Sequence, residues 1–266
     1  AEHDLVEFGG QQFNEGPILF SPNAYYRLYV NRMELYDAAE AAVGFRAKGF
    51  SQWRLSARRE RREAFQDYTF ATKANDVVTL QNDLFDLFLL RAELRLAFGE
   101  KFVETIRRRF STGTRFPVIT LKYTQGLDGA LDGNFAFSRT DALVTYKKRF
   151  KNLGESQFRI MGAWIDSSLP ASLLINPRSS YSGRFGFFSP FAFETMRVNE
   201  FLADQFVGFH FRHNFRSLLF RTKHFNPEIV IVHNAGIGEL SSKNDHEGIS
   251  FDIPNKPFLE AGMQID

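Results

Sequence analysis

Between positions 90 and 98 the chain alternates almost without error. Leu90, Ala92, Leu94, Leu96 and Phe98 fall on one face, and Arg91, Glu93 and Arg95 fall on the other. Successive side chains of a β-strand point to opposite faces, so this segment has one apolar side and one fully charged side. A soluble sandwich turns such charges to bulk water, whereas a transmembrane barrel turns them into its lumen. The expected fold is all-β: an antiparallel up-and-down transmembrane β-barrel, present as an incomplete part of a larger one.

Composition fits that choice. The 266 residues include 31 Phe but only 2 Trp, 4 Met and no Cys, and mean hydropathy is −0.28. Apolar and polar residues are therefore interleaved, as strands that meet lipid with every second residue require. Without Cys there is no disulfide framework and no thiolate chemistry. A net charge of +2, from 33 basic and 31 acidic residues, gives nucleic acid no general electrostatic attraction. No run of about 18 apolar residues exists to form a membrane helix. The opening AEHDLVEFGG is too polar for a signal peptide.

Residues 1–23, with Gly9-Gly10, Gly16-Pro17 and Ser21-Pro22, read as loop or linker, and residues 24–266 as a partial barrel. Strands are expected over 24–36, 41–48, 50–65, 84–98, 101–110, 116–125, 135–150, 157–165, 206–215, 228–234 and 258–265. Two hairpins are expected within these, one turning near Lys48-Gly49 and one pairing 84–98 with 101–110 around Gly99-Glu100. Segments of about ten residues suit tilted strands crossing about 30 Å of hydrocarbon. The second strand of the first hairpin carries Arg54, Arg58, Glu60 and Arg62 on its even positions. Its RRERRE run (58–63) has charges at helical spacing but no helix caps, so a long strand is preferred. Residues 170–195 form the longest stretch without alternation. They carry Pro177, Gly183, Gly186, Pro190 and the cluster Phe185, Phe187, Phe188, Phe191 and Phe193, so this aromatic loop must pack on something. The sequence stops directly after a strand-like run, and an open edge in lipid costs several kcal/mol for each unpaired backbone group. More strands are therefore expected beyond it.

The candidate lumen charges are Arg91, Glu93, Arg95, Lys122, Lys147 and Arg159, a mixed-sign set that can cross-pair between strands or set ion selectivity. Glu200 and Asp204, beside Asn199, could ligate Ca²⁺ or pair with Arg91, Arg95 or Arg197. His210 and His213 are three apart and face opposite sides of a strand, which disfavours a two-His metal site. Ser217, His213 and Asn214 supply the residue types of a membrane hydrolase, but they are bunched in one segment and no G-x-S-x-G elbow exists. Gly236, Gly238 and Gly248 are too dispersed for a phosphate loop. No catalytic, cofactor or metal residue is assigned.

Several segments resemble a known family. Residues 115–126 (RFPVITLKYTQG) are similar to its "yPvltl.Yt.G" strand, and Ser168-Leu169-Pro170 with Leu173-Leu174 to its "GklPy.lL". Residues 193–204 (FETMRVNEFLAD) resemble its "F..M..NEFlsD" signature, carried by Phe193, Met196, Asn199, Glu200, Phe201 and Asp204. His213-Asn214-Phe215 and Leu218-Leu219-Phe220 follow, and Phe258 to Gly262 is similar to its "ylE.G" strand. The family is DUF5686, of Bacteroidota outer-membrane proteins often found behind a carboxypeptidase-like regulatory domain. The resemblance spans 84–266. It implies a C-terminal transmembrane barrel that continues past this sequence, with no assigned catalytic residues.

These readings converge on an outer-membrane β-barrel protein of a Gram-negative bacterium, with a structural, transport or surface-assembly role. Its partners would be outer-membrane lipid and other envelope proteins, not nucleic acid. Two competing readings are a soluble carbohydrate- or protein-binding β-sandwich, whose Phe-rich faces would meet across one core, and an outer-membrane lipid hydrolase.

Overall fold

The computed structural model describes residues 2–7, 33–63, 68–74, 77–82, 84–104, 109–181, 189, 191–218, 227–242 and 245–265. Ten strands form one sheet whose spatial order is the order of the chain. They are β1 (Glu2–Glu7), β2 (Met33–Ala47), β3 (Ser51–Glu63), β4 (Leu84–Ala97), β5 (Val118–Gly126), β6 (Phe137–Phe150), β7 (Gly154–Ile165), β8 (Gln205–Asn214), β9 (Ile229–Glu239) and β10 (Phe258–Ile265). All nine pairings are antiparallel, so this is an up-and-down meander. Among the described residues β1 and β10 each pair on one side only, and the sheet does not close.

Directly paired residues share a face, so the register sorts the whole sheet. One row reads Phe45, Trp53, Leu94, Leu121, Ala142, Gly162, Val207 and Ile237 across β2 to β9. This face is open: Val43, Phe45, Leu55, Leu121, Ile160, Val207, Ile237, Leu259 and Met263 are all exposed. No second sheet covers it among the described residues. A sandwich needs two such faces pressed together; these phenylalanines and leucines face outward from a single sheet instead.

The opposite face is covered, and it is divided along the strand axis. At one end Phe85, Leu87, Leu89, Phe137, Met161, Ala163, Ile165 and Phe206 enter the core. A cap of connecting segments supplies Tyr68, Phe70, Leu169, Leu174, Ile175, Phe193, Met196, Leu202 and Leu240 against them. Burying one such side chain contributes about 1.5–3 kcal/mol, so this contact fixes the cap firmly. The cap is itself knitted together. Thr69–Ala74 pairs with Val77–Asn82 on one side and with His246–Glu247 on the other. Ser179–Tyr181 runs parallel to Phe193–Arg197, and single bridges join Ile175 to Ala203 and Phe201 to Asp252. Connections that leave the sheet six strands apart, after β3 and after β9, thus meet over one face.

Several expectations need correction. Glu2–Glu7, read as loop, pairs with β2. The expected break between 36 and 41 is absent, because β2 runs unbroken from Met33; residues 24–32 lie outside the described residues. Segment 101–110 is not the partner of β4. Lys101–Glu104 folds onto Arg109–Gly113 as a separate ribbon, and β4 pairs with β5. RRERRE is strand, within β3. Of the aromatic loop, Phe191 and Phe193 are placed, while Gly183, Phe185, Gly186, Phe187, Phe188 and Pro190 lie outside the described residues.

Candidate functional site

Beyond the cap, the covered face turns ionic. Arg54, Glu93, Lys122 and Asp141 stand in one register row across β3 to β6, alternating in sign from strand to strand. Opposite charges directly across a ladder attract, and each pair contributes roughly 0.2–1 kcal/mol. The deepest acids are enclosed by guanidinium groups, as a buried carboxylate requires. Glu60 is 1 % exposed and accepts from Arg58 Nε at 2.8 Å and Arg62 Nε at 2.5 Å, with an Arg91 nitrogen at 4.0 Å. Asp141 is fully buried and held by Arg139 at 3.0 Å.

Two of these arginines also hold the cap. Arg62 donates to the carbonyl of Ser172 at 3.0 Å, and Arg139 donates to that of Leu173 at 3.0 Å. Both carbonyls belong to the 3₁₀ turn Ala171–Leu173. Sheet charges are therefore fixed by the cap, and the cap by them.

A second row runs Arg159, His210, Asn234 and Glu260 across β7 to β10. The His210 ring nitrogen Nδ1 lies 2.9 Å from Asn234 Oδ1, and Asn234 Nδ2 donates to Glu260 Oε1 at 2.5 Å. The His210 ring meets that of Phe193 of the cap in a tilted contact, with centroids 4.9 Å apart, and Arg159 lies over the Phe191 ring at 5.0 Å.

Further along, the same face opens into a cavity of about 930 Å³. Lys147, Arg149 and Arg159 line it with Arg115, Phe116, Val118 and Phe191, and Glu155 is its one acid. The Glu155 carboxylate is shared: Lys147 Nζ lies at 2.6 Å, Arg216 at 3.3 Å and Arg149 at 3.6 Å.

All six candidate charges project from the covered face, but they do not form one cluster. Arg91, Glu93 and Lys122 sit within the network around Glu60 and Asp141. Arg95 turns aside to Glu100 in two bonds of 2.9 and 2.7 Å, and this guanidinium fork holds the Glu100 carboxyl below its usual range. Lys147 and Arg159 line the cavity. Glu60, Asp141, Arg139 and the His210–Asn234–Glu260 row were missed as site residues. Glu60 had a signal in its even-position alternation; the others reveal themselves only once strands are in register.

Glu200 and Asp204 accept from backbone N–H and hydroxyl donors within the cap rather than from the side chains of Arg91, Arg95 or Arg197. Glu200 accepts from the Arg197 backbone N–H at 2.8 Å, and Asp204 accepts from the Ser241 N–H at 2.8 Å and from its hydroxyl. Asn199 adopts φ +59° and accepts from Asn176 at 2.6 Å. Phe193 and Met196 are buried in the core and Phe201 packs on it. The segment builds the cap. His213 points to the open face, with Nδ1 against Ser156 at 2.8 Å and Nε2 against the Leu153 carbonyl at 2.8 Å. Both ring nitrogens of His213 are thus engaged, and the side chain of Ser217 lies outside the described positions.

No curated protein matches the chain. A family model, that of the C-terminal domain of the family of unknown function DUF5686, matches residues 8–168, which include β2 to β7 and the Glu60 and Asp141 networks. The FETMRVNEFLAD segment lies beyond the matched stretch. With more than half its length matched, the chain belongs to the DUF5686 family.

Proposed function

We propose that this chain is part of an outer-membrane β-barrel of structural, transport or surface-assembly role, with lipid against its open face. The observation that carries the reading is the sorting of the two faces. Exposed Phe, Leu, Ile and Val run across β2 to β10 on one side, while the ionic rows are gathered on the other. A soluble protein rarely leaves so broad an apolar surface bare; a barrel wall needs one. The cap then acts as a plug across one end of the interior, and the cavity is a receptacle at the other.

Loop lengths support an orientation. Every connection at the cap end runs ten residues or more, from 127–136 up to 166–204, whereas the cavity end carries the three-residue turns 48–50 and 151–153 beside the longer connections 98–117 and 215–228. Short turns face the periplasm in such barrels and longer loops face outward. The cavity accordingly opens inward and the plug faces the cell exterior.

The two tryptophans test the reading, because Trp53 and Trp164 both stand on the open face, near opposite ends of the strands. Reconstituted into vesicles whose acyl chains carry bromine, both are expected to lose fluorescence. Release of the protein into the aqueous phase without detergent, with unquenched tryptophan, would overturn the proposal.

A further inference from the structure

The cavity has a chemistry of its own. At about 930 Å³ it falls within the roughly 300–1,000 Å³ typical of small-molecule sites. Five cationic residues, Arg115, Lys147, Lys148, Arg149 and Arg159, line it against the single carboxylate of Glu155. That carboxylate already serves three cations, Arg216 being the third beside Lys147 and Arg149. Positive charge held between low-dielectric walls focuses a field that draws anions in.

The cations are arranged at two levels. Arg159 is only 6 % exposed and its guanidinium is fixed over Phe191, so it forms a prearranged floor. The Lys147 and Arg149 side chains are 62 % and 67 % exposed and can close on a bound group from the rim. Phe116, Val118 and Phe191 add apolar wall. Several cations converging on one space match a group with more than one negative charge, and guanidinium forks fit phosphate oxygens.

The geometry points to a binding site for a phosphate-bearing anion, whose charged group meets Lys147, Arg149 and Arg159 and whose remainder lies on Phe116 and Phe191. The site stands on the covered face whichever solvent meets the open one, so it is separable from the membrane reading. The phosphate can belong to a lipid headgroup or to a soluble molecule, and the two sources are distinguishable.

Calorimetric titration of the detergent-solubilised protein with pyrophosphate, and separately with dioctanoyl phosphatidic acid, tests the site. Because Arg159 is buried, the test rests on the rim pair Lys147→Gln/Arg149→Gln. Affinity is expected to fall about tenfold or more in that variant, as loss of charge-assisted bonds implies. It should hold in Arg59→Gln/Arg61→Gln, which removes the same charge from the open face. Preference for phosphatidic acid assigns the phosphate to a lipid, and preference for pyrophosphate assigns it to a soluble ligand. No binding of either probe, or equal loss in both variants, overturns the site.

Discussion

Asn234 and Glu260 face each other across the pairing of β9 with β10, and the Asn234 amide donates to the Glu260 carboxylate at 2.5 Å. The same carboxylate accepts the backbone N–H groups of Glu194 and Thr195, at 2.8 and 2.9 Å, and the Thr195 hydroxyl at 2.7 Å. A side chain of the last strand thus holds the cap strand Phe193–Arg197 by its backbone, and Asn234 holds that side chain in place. Asn234 reaches the cap itself as well, donating to the Ala192 carbonyl at 3.2 Å.

Glu260→Ala should therefore undock the cap strand while leaving the sheet intact. Bonds to a charged acceptor contribute about 1.5–3 kcal/mol each, and buried donors left without a partner add to the loss, so about 3 kcal/mol of local protection should vanish. Amide hydrogen exchange reads it directly: the Glu194 and Thr195 amides speed up, and those of β5 and β6 do not. Glu260→Gln keeps one acceptor oxygen and should fall between.

Glycine spacing on the covered face makes room for the cap rings. A Cβ at Gly236 would lie 2.8 Å from the Phe193 ring and 3.0 Å from that of Phe206, both in the core. Gly236→Ala should cost about 1–3 kcal/mol, the usual penalty for overpacking. Gly262, on the same face of β10, has nothing within 4 Å of such a Cβ, and alanine there should be neutral or gain up to about 1 kcal/mol. Denaturant midpoints of the two variants should move in opposite directions or by clearly different amounts.

His246 makes the cap sensitive to acid. Its ring sits among Tyr68, Phe70 and Phe251, and the Tyr68 hydroxyl, which accepts from the Ala171 N–H at 2.8 Å, donates to His246 Nδ1 at 2.8 Å. Burial pushes its pKa down to about 4, with Asp245 opposing weakly. A histidine depressed in the folded state contributes stability that is complete above its unfolded value of about 6.5 and is lost as pH falls towards 4. The loss approaches roughly 3 kcal/mol, since each pKa unit is worth about 1.4 kcal/mol. Exchange protection in 68–71 and 169–175 should fall over that window, and His246→Phe should flatten the dependence.

The open face was legible because it is written locally. Leu90, Leu94 and Leu121 are told from Arg91, Glu93 and Lys122 by period alone, and one strand suffices to read it. The cap was not, because it breaks the same rule. Phe85, Leu87 and Leu89 lie on the face that becomes charged at Arg91, so β4 is apolar on both sides from Leu87 to Leu90. Only a second layer explains that, and the layer comes from segments far away in the chain, such as Leu174 and Phe193. The misassigned partner of β4 has a similar cause. A tight turn at Gly99-Glu100 is the nearest local solution, but Glu100 is instead drawn back to Arg95 and its neighbours fold into the Lys101–Gly113 ribbon. The charge rows needed registers across several strands, which no single segment records.

The solvent of the open face has its own signature in substitution costs. Leu121 stands on that face between Leu94 and Ala142, whereas Thr140 lies on the same face nearer the cap end. In lipid an arginine costs about 2–4 kcal/mol at mid-depth and about 0–1 kcal/mol near an interface. Leu121→Arg should then fold into vesicles markedly less stably than Thr140→Arg, as read by urea titration of the reconstituted protein. In water both positions are exposed surface, where substitutions usually fall within about 0.5 kcal/mol of neutral. A depth gradient between these two positions is thus something only a bilayer can impose, and equal, small costs at both would place water against the leucines.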